Sequence, residues 1–244
     1  MTRDRDPLAQ LQSMALFQGV ERGQLRQFLQ DASRPTFRQG VYLYMQGDPA
    51  GSFYLLISGQ IKLTQVTPEG QQIILRYTVP GEAFGVIAVL SDSVYPASAE
   101  AVEESQALAW DHTSIKNLML RNPNIAINAM RILSYRIREF QDRIRSLSTE
   151  RVERRIARAL LRLASQTGRK TGEGVLIDLP LSRQDLAEMT GTTLYTVSRT
   201  LSQWESRGLI KSSREQITIC FPHGLVVIAE DLPLPPESDP PSLK

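Results

Sequence analysis

The chain has 244 residues, 41 % of them hydrophobic and 22 % charged, ordinary values for a globular protein with room for two modest domains and a connector. The formal net charge is only +2, and the single cysteine, Cys220, excludes an internal disulfide and a multi-cysteine iron–sulfur site. No apolar run nears the roughly 20 residues that cross a bilayer, and Met1-Thr-Arg-Asp-Arg-Asp lacks the apolar core of a secretory signal, so a cytoplasmic protein with no membrane partner is expected.

Residues 8 to 30 read as short helices, carried by Leu11, Met14, Leu16 and Phe17 and then by Leu25, Phe28 and Leu29. From 36 to 110 the period changes to two, with glycine punctuation. Val41, Leu43 and Met45 alternate before Gln46-Gly47-Asp48, Leu55 and Ile57 lead to Gly59, and Ile61 and Leu63 to Pro68-Glu69-Gly70. Ile73, Leu75 and Tyr77 then run to Pro80-Gly81. Short strands at about ten-residue spacing predict a β-sandwich, barrel or jelly roll.

From about 113 the pattern is helical, interrupted at Asn122-Pro123. Beyond it Ala126, Met130, Leu133, Ile137, Phe140, Ile144 and Leu147 recur in steps of four and three. That is a heptad seam about 33 Å long at 1.5 Å per residue. The seam is narrow and arginines crowd the other faces, so the helix is expected to pair with a second copy through Met130, Leu133, Ile137, Phe140, Ile144 and Leu147. Arg131 to Lys170 holds twelve Lys or Arg against Glu139, Asp142, Glu150 and Glu153, a basic stretch that suits a nucleic-acid face. Another helix carries Ile156, Ala159, Leu160 and Leu163, and Val175 to Leu179 reads as a strand ended by Pro180.

Residues 183–202 fit a helix-turn-helix. Ala187 is small enough for two helices to cross closely, Gly191 can make the left-handed turn, and Val197 seats the second helix. Thr193 is the expected N-cap, and Val197, Leu201 and Trp204 form the buried stripe. Thr192, Thr196, Ser198 and Arg199 are left to face outward, and hydroxyls and a guanidinium suit phosphates and base edges. Leu209-Ile210 and Gln216 to Ile219 flank the turn Ser212-Ser213-Arg214-Glu215, which makes the whole a winged helix. The last residues are acidic and rich in proline.

In this order the stretches resemble the CRP/FNR superfamily of bacterial transcription regulators, from roughly Leu16 to Phe221. Phe37-Arg-Gln-Gly40, Gln46-Gly47-Asp48 and Gly59 resemble the glycine framework of a cyclic-nucleotide-binding β-roll. Pro80-Gly-Glu-Ala-Phe-Gly-Val-Ile87 resembles its phosphate cassette, and Leu181 through Arg199 the family's DNA reader. The resemblance implies an α+β chain with an N-terminal β-roll (jelly roll), a long dimerisation helix and a C-terminal winged helix-turn-helix. The expected division is an arm at 1–13, a sensor at 14–115, the dimer helix and hinge at 116–148, the DNA-binding domain at 149–223 and a flexible acidic tail at 224–244. It further implies a homodimer on double-stranded DNA, a palindromic operator, and RNA polymerase as a partner.

By that resemblance Leu194, Tyr195, Ser198 and Arg199 enter the major groove, Arg199 contacting a guanine, while Ser182, Arg183 and Thr193 hold backbone phosphates. Leu194-Tyr195 replaces the charged residues of the familiar family branches, so the half-site is expected to differ from theirs. Cyclic-AMP-responsive members carry a cassette Glu for the ribose and an Arg for the cyclic phosphate. Here Val86 stands at the Glu position and Tyr95-Pro-Ala-Ser-Ala99 in the Arg region, which implies an effector other than cyclic AMP. The cassette is similar to that of the nitrogen-control, NtcA-like branch, which implies a small-molecule effector site of Phe84, Gly85, Val86, Ile87, Ser98, Arg136 and Phe140. The second arginine of that branch is missing, and Ser98 is its nearest substitute. An effector is then expected to shift the dimer helix and re-aim the readers about a hinge near Ser146 to Glu150.

No cofactor is expected. His112 and His223 read as structural residues and not haem ligands, and Cys220 as a buried, inert residue of the wing. An enzyme is disfavoured, since the chain has no Walker-type loop, no metal-ligand spacing and no nucleophile elbow. The alternative from another class is a ligand-sensing module that acts through a protein partner and not DNA.

Overall fold

The computed structural model describes residues 7–86 and 93–232. The chain divides into two compact units, Met1–Asp142 and Arg143–Lys244. In the first, helices α1 (Pro7–Ser13) and α2 (Arg22–Gln30) flank a 3-10 turn at Ala15–Phe17. Strands follow as β1 (Thr36–Phe37), β2 (Tyr42–Tyr44), β3 (Ser52–Ser58), β4 (Ile61–Val66) and β5 (Gln72–Thr78). β6 (Ala83–Phe84), β7 (Ser98–Ala101) and β8 (Ser105–Asp111) complete two four-stranded antiparallel sheets, ordered β1-β8-β3-β6 and β2-β7-β4-β5. This is the β-sandwich expected from the two-residue period.

Register shifts interrupt simple alternation in the β3–β8, β4–β5 and β2–β7 pairings. The β4–β5 register shifts so that Leu63 faces Arg76 while Thr64 faces Ile74, and Leu75 is the extra residue. The extra residue flips the phase, so Ile74 and Tyr77 are the buried pair in place of Ile73, Leu75 and Tyr77. In β2 the register against β7 shifts between Tyr42 and Tyr44, and Tyr44 is buried while Val41 and Met45 are exposed. Trp110 ties the N-terminal helices to the sandwich. Its ring stacks 4.0 Å from Phe28, and its indole N–H donates to Phe28 O at 3.0 Å.

Gly59 closes the β3–β4 turn at φ +81°, where a Cβ would lie 2.3 Å from Ser105 Oγ and 2.5 Å from Glu104 O. The left-handed backbone and the clash with main chain act together. Gly59→Ala is expected to cost about 3 kcal/mol, read as a lower urea midpoint with an unchanged slope.

Asp111 caps α3 (His112–Arg121), its carboxylate accepting from Ser114 N–H at 2.6 Å, a bond that holds its pKa below the usual carboxylate range. After Asn122, Pro123 opens α4 (Pro123–Thr149), 27 residues long, as the break in the sequence pattern requires.

The second unit holds α5 (Val152–Thr167), the hairpin β9 (Gly168–Thr171) and β10 (Gly174–Ile177), then α6 (Arg183–Thr190), α7 (Leu194–Ser206), β11 (Ile210–Ser213), β12 (Gln216–Ile219) and α8 (Pro222–Glu230). Its sheet runs β11-β12-β10-β9. The wing turn is tighter than expected, since Ser212 and Ser213 are strand residues and Glu215 alone takes positive φ, +83°.

Two expected boundaries move. The units part at Asp142/Arg143 and not at 148/149, because Arg143 donates to Met189 O at 3.0 Å and Leu147 lies against Gly191. The tail does not begin at 224, because Leu225, Val227 and Ala229 of α8 are buried. Residues 233–244 and the arm's residues 1–6 lie outside the described residues.

Candidate nucleic-acid interface and effector cassette

The helix-turn-helix is built by local chemistry. Ser182 caps α6 in a reciprocal box, its Oγ accepting from Asp185 N at 3.0 Å while Asp185 Oδ2 accepts from Ser182 N at 2.9 Å. Gly191 ends α6 at φ +61°, and Ala187 and Val197 are buried where the two helices meet. Thr193 caps α7, accepting from Thr196 N at 3.2 Å.

α7 then divides by face. Val197, Thr200, Leu201 and Trp204 are buried, whereas Leu194, Tyr195 and Arg199 are exposed and Thr192, Thr196 and Ser198 half-buried. Tyr195 is 74 % exposed and Leu194 48 %, which leaves two apolar-bodied side chains bare at the start of a helix. Tyr195, Thr196, Arg199 and Gln203 line a groove of about 480 Å³ with Arg151, Val152 and Glu153 at the start of α5. Arg151 and Gln203 were not among the expected contacts. Their signal in the sequence is faint, since Gln203 sits one turn past Arg199 and Arg151 heads a helix 48 residues earlier.

Hydrogen-bond supply separates the expected phosphate donors. The Ser182 hydroxyl donates to Asp185 Oδ2 at 2.5 Å, so both its hydroxyl and its N–H are already engaged. Arg183 is held to the wing, with Nη2 3.3 Å from Ser212 Oγ and 4.0 Å from Glu205 Oε2, and keeps its other donors. Thr193 and Thr196 share one hydrogen bond between hydroxyls at 2.9 Å, so one of the two hydroxyl hydrogens remains for an outside acceptor.

In the first unit the cassette residues are placed unevenly. Phe84 is buried and stacks on Tyr54 at 5.2 Å, Gly85 has φ +76°, and Val86 is half-buried beside the core around Trp110. Ile87 lies outside the described residues. Ser98 is 4 % exposed, and its Oγ accepts from Gln46 N at 2.9 Å, so it is a strand-pinning group and no stand-in for an arginine.

A further arginine, on β5, lies near Arg136. Arg76 of β5 donates to Glu82 Oε2 at 2.7 Å and to Ala83 O at 3.2 Å. Arg136 of α4 donates to Glu82 Oε1 at 2.8 Å and to Glu139 at 2.7 Å. Glu82 thus bridges two guanidiniums. Burial lowers the Arg76 pKa. It also works against charge on Arg136, but the Glu82 and Glu139 carboxylates outweigh it and that pKa rises. Phe140, one turn on, is 48 % exposed.

The seam of α4 is open to solvent. Met130, Ile137, Phe140, Ile144 and Leu147 are between 43 % and 66 % exposed, and Leu133 is half-buried. His112 begins α3, and His223 meets Phe221 edge-on at 6.1 Å. Cys220 is half-buried, short of the full burial expected, because β12 ends at Ile219. Among the described residues no group of three metal-type side chains converges, and no helix is long and apolar enough to cross a membrane.

Residues 34–122 match the cyclic nucleotide-binding domain family, and residues 154–228 the Crp-like helix-turn-helix domain family. The chain is 33 % identical over 196 residues to the cyclic AMP receptor protein of Thermus thermophilus, covering 80 % of this chain and 88 % of that one. It is 30 % identical over 191 residues to the global nitrogen regulator of a Nostoc species, covering 77 % and 85 %. Among solved structures, TTHB099, a CRP-family transcriptional regulator from Thermus thermophilus, superposes with a TM-score of 0.69 at 25 % identity, covering 80 % of this chain and 96 % of that one.

Proposed function

The chain belongs to the CRP/FNR family of transcription regulators, which are not enzymes, and from that premise we propose that it is a dimeric reader of a palindromic DNA operator, governed by an effector other than cyclic AMP if by any. The observation that carries the reading is the bare face of α7. Leu194, Tyr195 and Arg199 are exposed, with Ser198 half-buried beside them, on a helix whose cap and buried stripe are made by other residues. Arg199 is the guanine contact, and Leu194 and Tyr195 pack on thymine methyl groups. Arg183, Thr193, Thr192 and Thr196 position the helix on phosphates, joined by Arg151 across the groove. Ser182 contributes only through its cap.

The exposed seam of α4 takes a second copy, which sets two readers about one helical turn of DNA apart. RNA polymerase is the onward partner, and the cytoplasm the site of action. In the sensor, Val86 offers no carboxylate to a ribose and Ser98 no charge to a cyclic phosphate. Calorimetry with millimolar cyclic AMP is therefore expected to show no saturable binding tighter than about 10 µM, and binding below that value contradicts the effector part of the reading.

The DNA part is tested by titrating the protein onto a pool of random duplexes while salt is raised. Affinity is expected to fall linearly in log–log terms over several phosphate contacts. Arg183→Ala lowers affinity for every duplex about equally and reduces the salt slope by about one. A sequence-selective loss in Arg183→Ala contradicts its phosphate role, and the absence of any duplex binding contradicts the reading itself.

A further inference from the structure

Only Glu150 and Arg151 separate α4 from α5, and Arg151 is extended at φ −64°, ψ 149° with no side-chain cap on α5. Such a break could swing. Instead it is held from two sides. The Glu150 carboxylate, 7 % exposed, accepts from Ser146 Oγ at 2.6 Å and pairs with Arg158 Nη1 at 3.1 Å, with Arg154 Nε 3.8 Å away. Both guanidiniums continue to the C-terminus of α8, where Arg154 Nε and Arg158 Nε donate to Ala229 O at 2.7 and 3.0 Å. Carbonyls of a last helical turn have no partner within the helix and lie at its negative end, so two cations there are favourable.

On the other side the main chain of the break is tied to the helix-turn-helix. Glu150 O accepts from Arg155 Nη1 at 2.9 Å, and the same guanidinium donates to Thr190 O at 2.9 Å and Gly191 O at 3.3 Å. Arg143 Nη2 reaches Met189 O at 3.0 Å from the last turns of α4. The end of α6 is thereby fixed to residues on both sides of the break.

We infer that Glu150 is a positioning residue for DNA reading: its buried carboxylate locks the break between α4 and α5, with α8 as the brace. The recognition helix is then carried as a rigid continuation of the last two turns of α4. Residues 146–150 are a splint and not the hinge that the sequence suggests. The C-terminal helix acquires a role that its distance from α7 in sequence conceals. Neutralising Glu150 leaves Arg154 and Arg158 facing each other without their shared anion, whereas removing Arg158 leaves a buried carboxylate short of its main partner.

The test uses the full chain as Glu150→Gln and Arg158→Met. Hydrogen exchange is followed at the Glu150 amide, bonded to Ser146 O at 3.0 Å, and at the Arg155 amide, bonded to Arg151 O at 3.2 Å. Both amides are expected to exchange about tenfold or more faster in each variant, with those of Leu201 and Trp204 in α7 unchanged. Unchanged exchange at Glu150 and Arg155, or an equal rise throughout α7, overturns the brace. Its consequence rests on the reading of a dimer on a palindrome. Each variant is expected to lose about tenfold affinity for a wild-type-selected palindrome while keeping its affinity for a single half-site, because only the palindrome senses how rigidly two readers are held. Equal affinity losses on both duplexes overturn the positioning role. Failure of the wild type to select any palindrome overturns the dimer reading, and the exchange result still decides the brace.

Discussion

Arg199→Ala is expected to lower affinity for the selected operator by about 1–3 kcal/mol per half-site, roughly 5- to 150-fold, and to relax preference at one base position alone. The size follows from geometry. Arg199 stands on the exposed face of α7, one turn past Tyr195, with Val197 and Leu201 fixing the helix beneath it. A guanidinium presents paired donors that match the two acceptors of guanine, and alanine leaves those acceptors without a partner. Because Arg199 is exposed, the variant should unfold as the wild type does. Selection repeated with the variant checks this. A uniform loss across all sequences would move Arg199 to the phosphate class.

Ile137→Glu is expected to make the protein monomeric at micromolar concentration and to lower palindrome affinity about 10²- to 10⁴-fold, the gain that linking two sites confers. Ile137 is 57 % exposed in the single chain, midway along the seam, so a carboxylate costs the folded monomer little. Opposite its own copy the same carboxylate would meet apolar neighbours and a like charge, in a place where neither can be hydrated. Sedimentation equilibrium reads the first effect and a half-site titration the second. A dimeric Ile137→Glu protein would place the interface elsewhere.

What was legible in the sequence is what local chemistry decides. Gly191 with φ +61°, the Thr193 cap and the buried trio Val197, Leu201 and Trp204 stand where the residues alone place them. The break at Asn122-Pro123 and the order of sandwich, long helix and winged helix were equally readable. Pairing was not. The bulges at Leu75 and in β2 depend on the partner strand, so no period-two count finds them. β9 was invisible because Gly168-Arg-Lys-Thr171 is polar and exposed throughout, and it is a strand only by virtue of β10.

The sites show the same division. Arg76 reads as a solvent-facing strand residue, and only the fold brings it to Glu82 six positions on and Arg136 sixty positions on. Ser98, the nearest substitute for the missing arginine by sequence, is tied to Gln46 N by a bond between distant segments of the chain that sequence alone does not reveal. α8 carried a signal that composition masked. Pro222 at a helix start and the run Leu225 to Ala229 read as a short helix once detached from the acidic prolines that follow.

The central claim is that two copies read one palindrome through α7. Its most direct test is selection of bound duplexes from a random pool by the purified protein without effector, sequenced at two salt concentrations. The account predicts a two-fold symmetric site with half-sites about one helical turn apart, retained at the higher salt. Enrichment of a single unpaired half-site would contradict the dimer, and binding that is blind to sequence and vanishes with salt would contradict the assignment of Leu194, Tyr195, Ser198 and Arg199 as base readers.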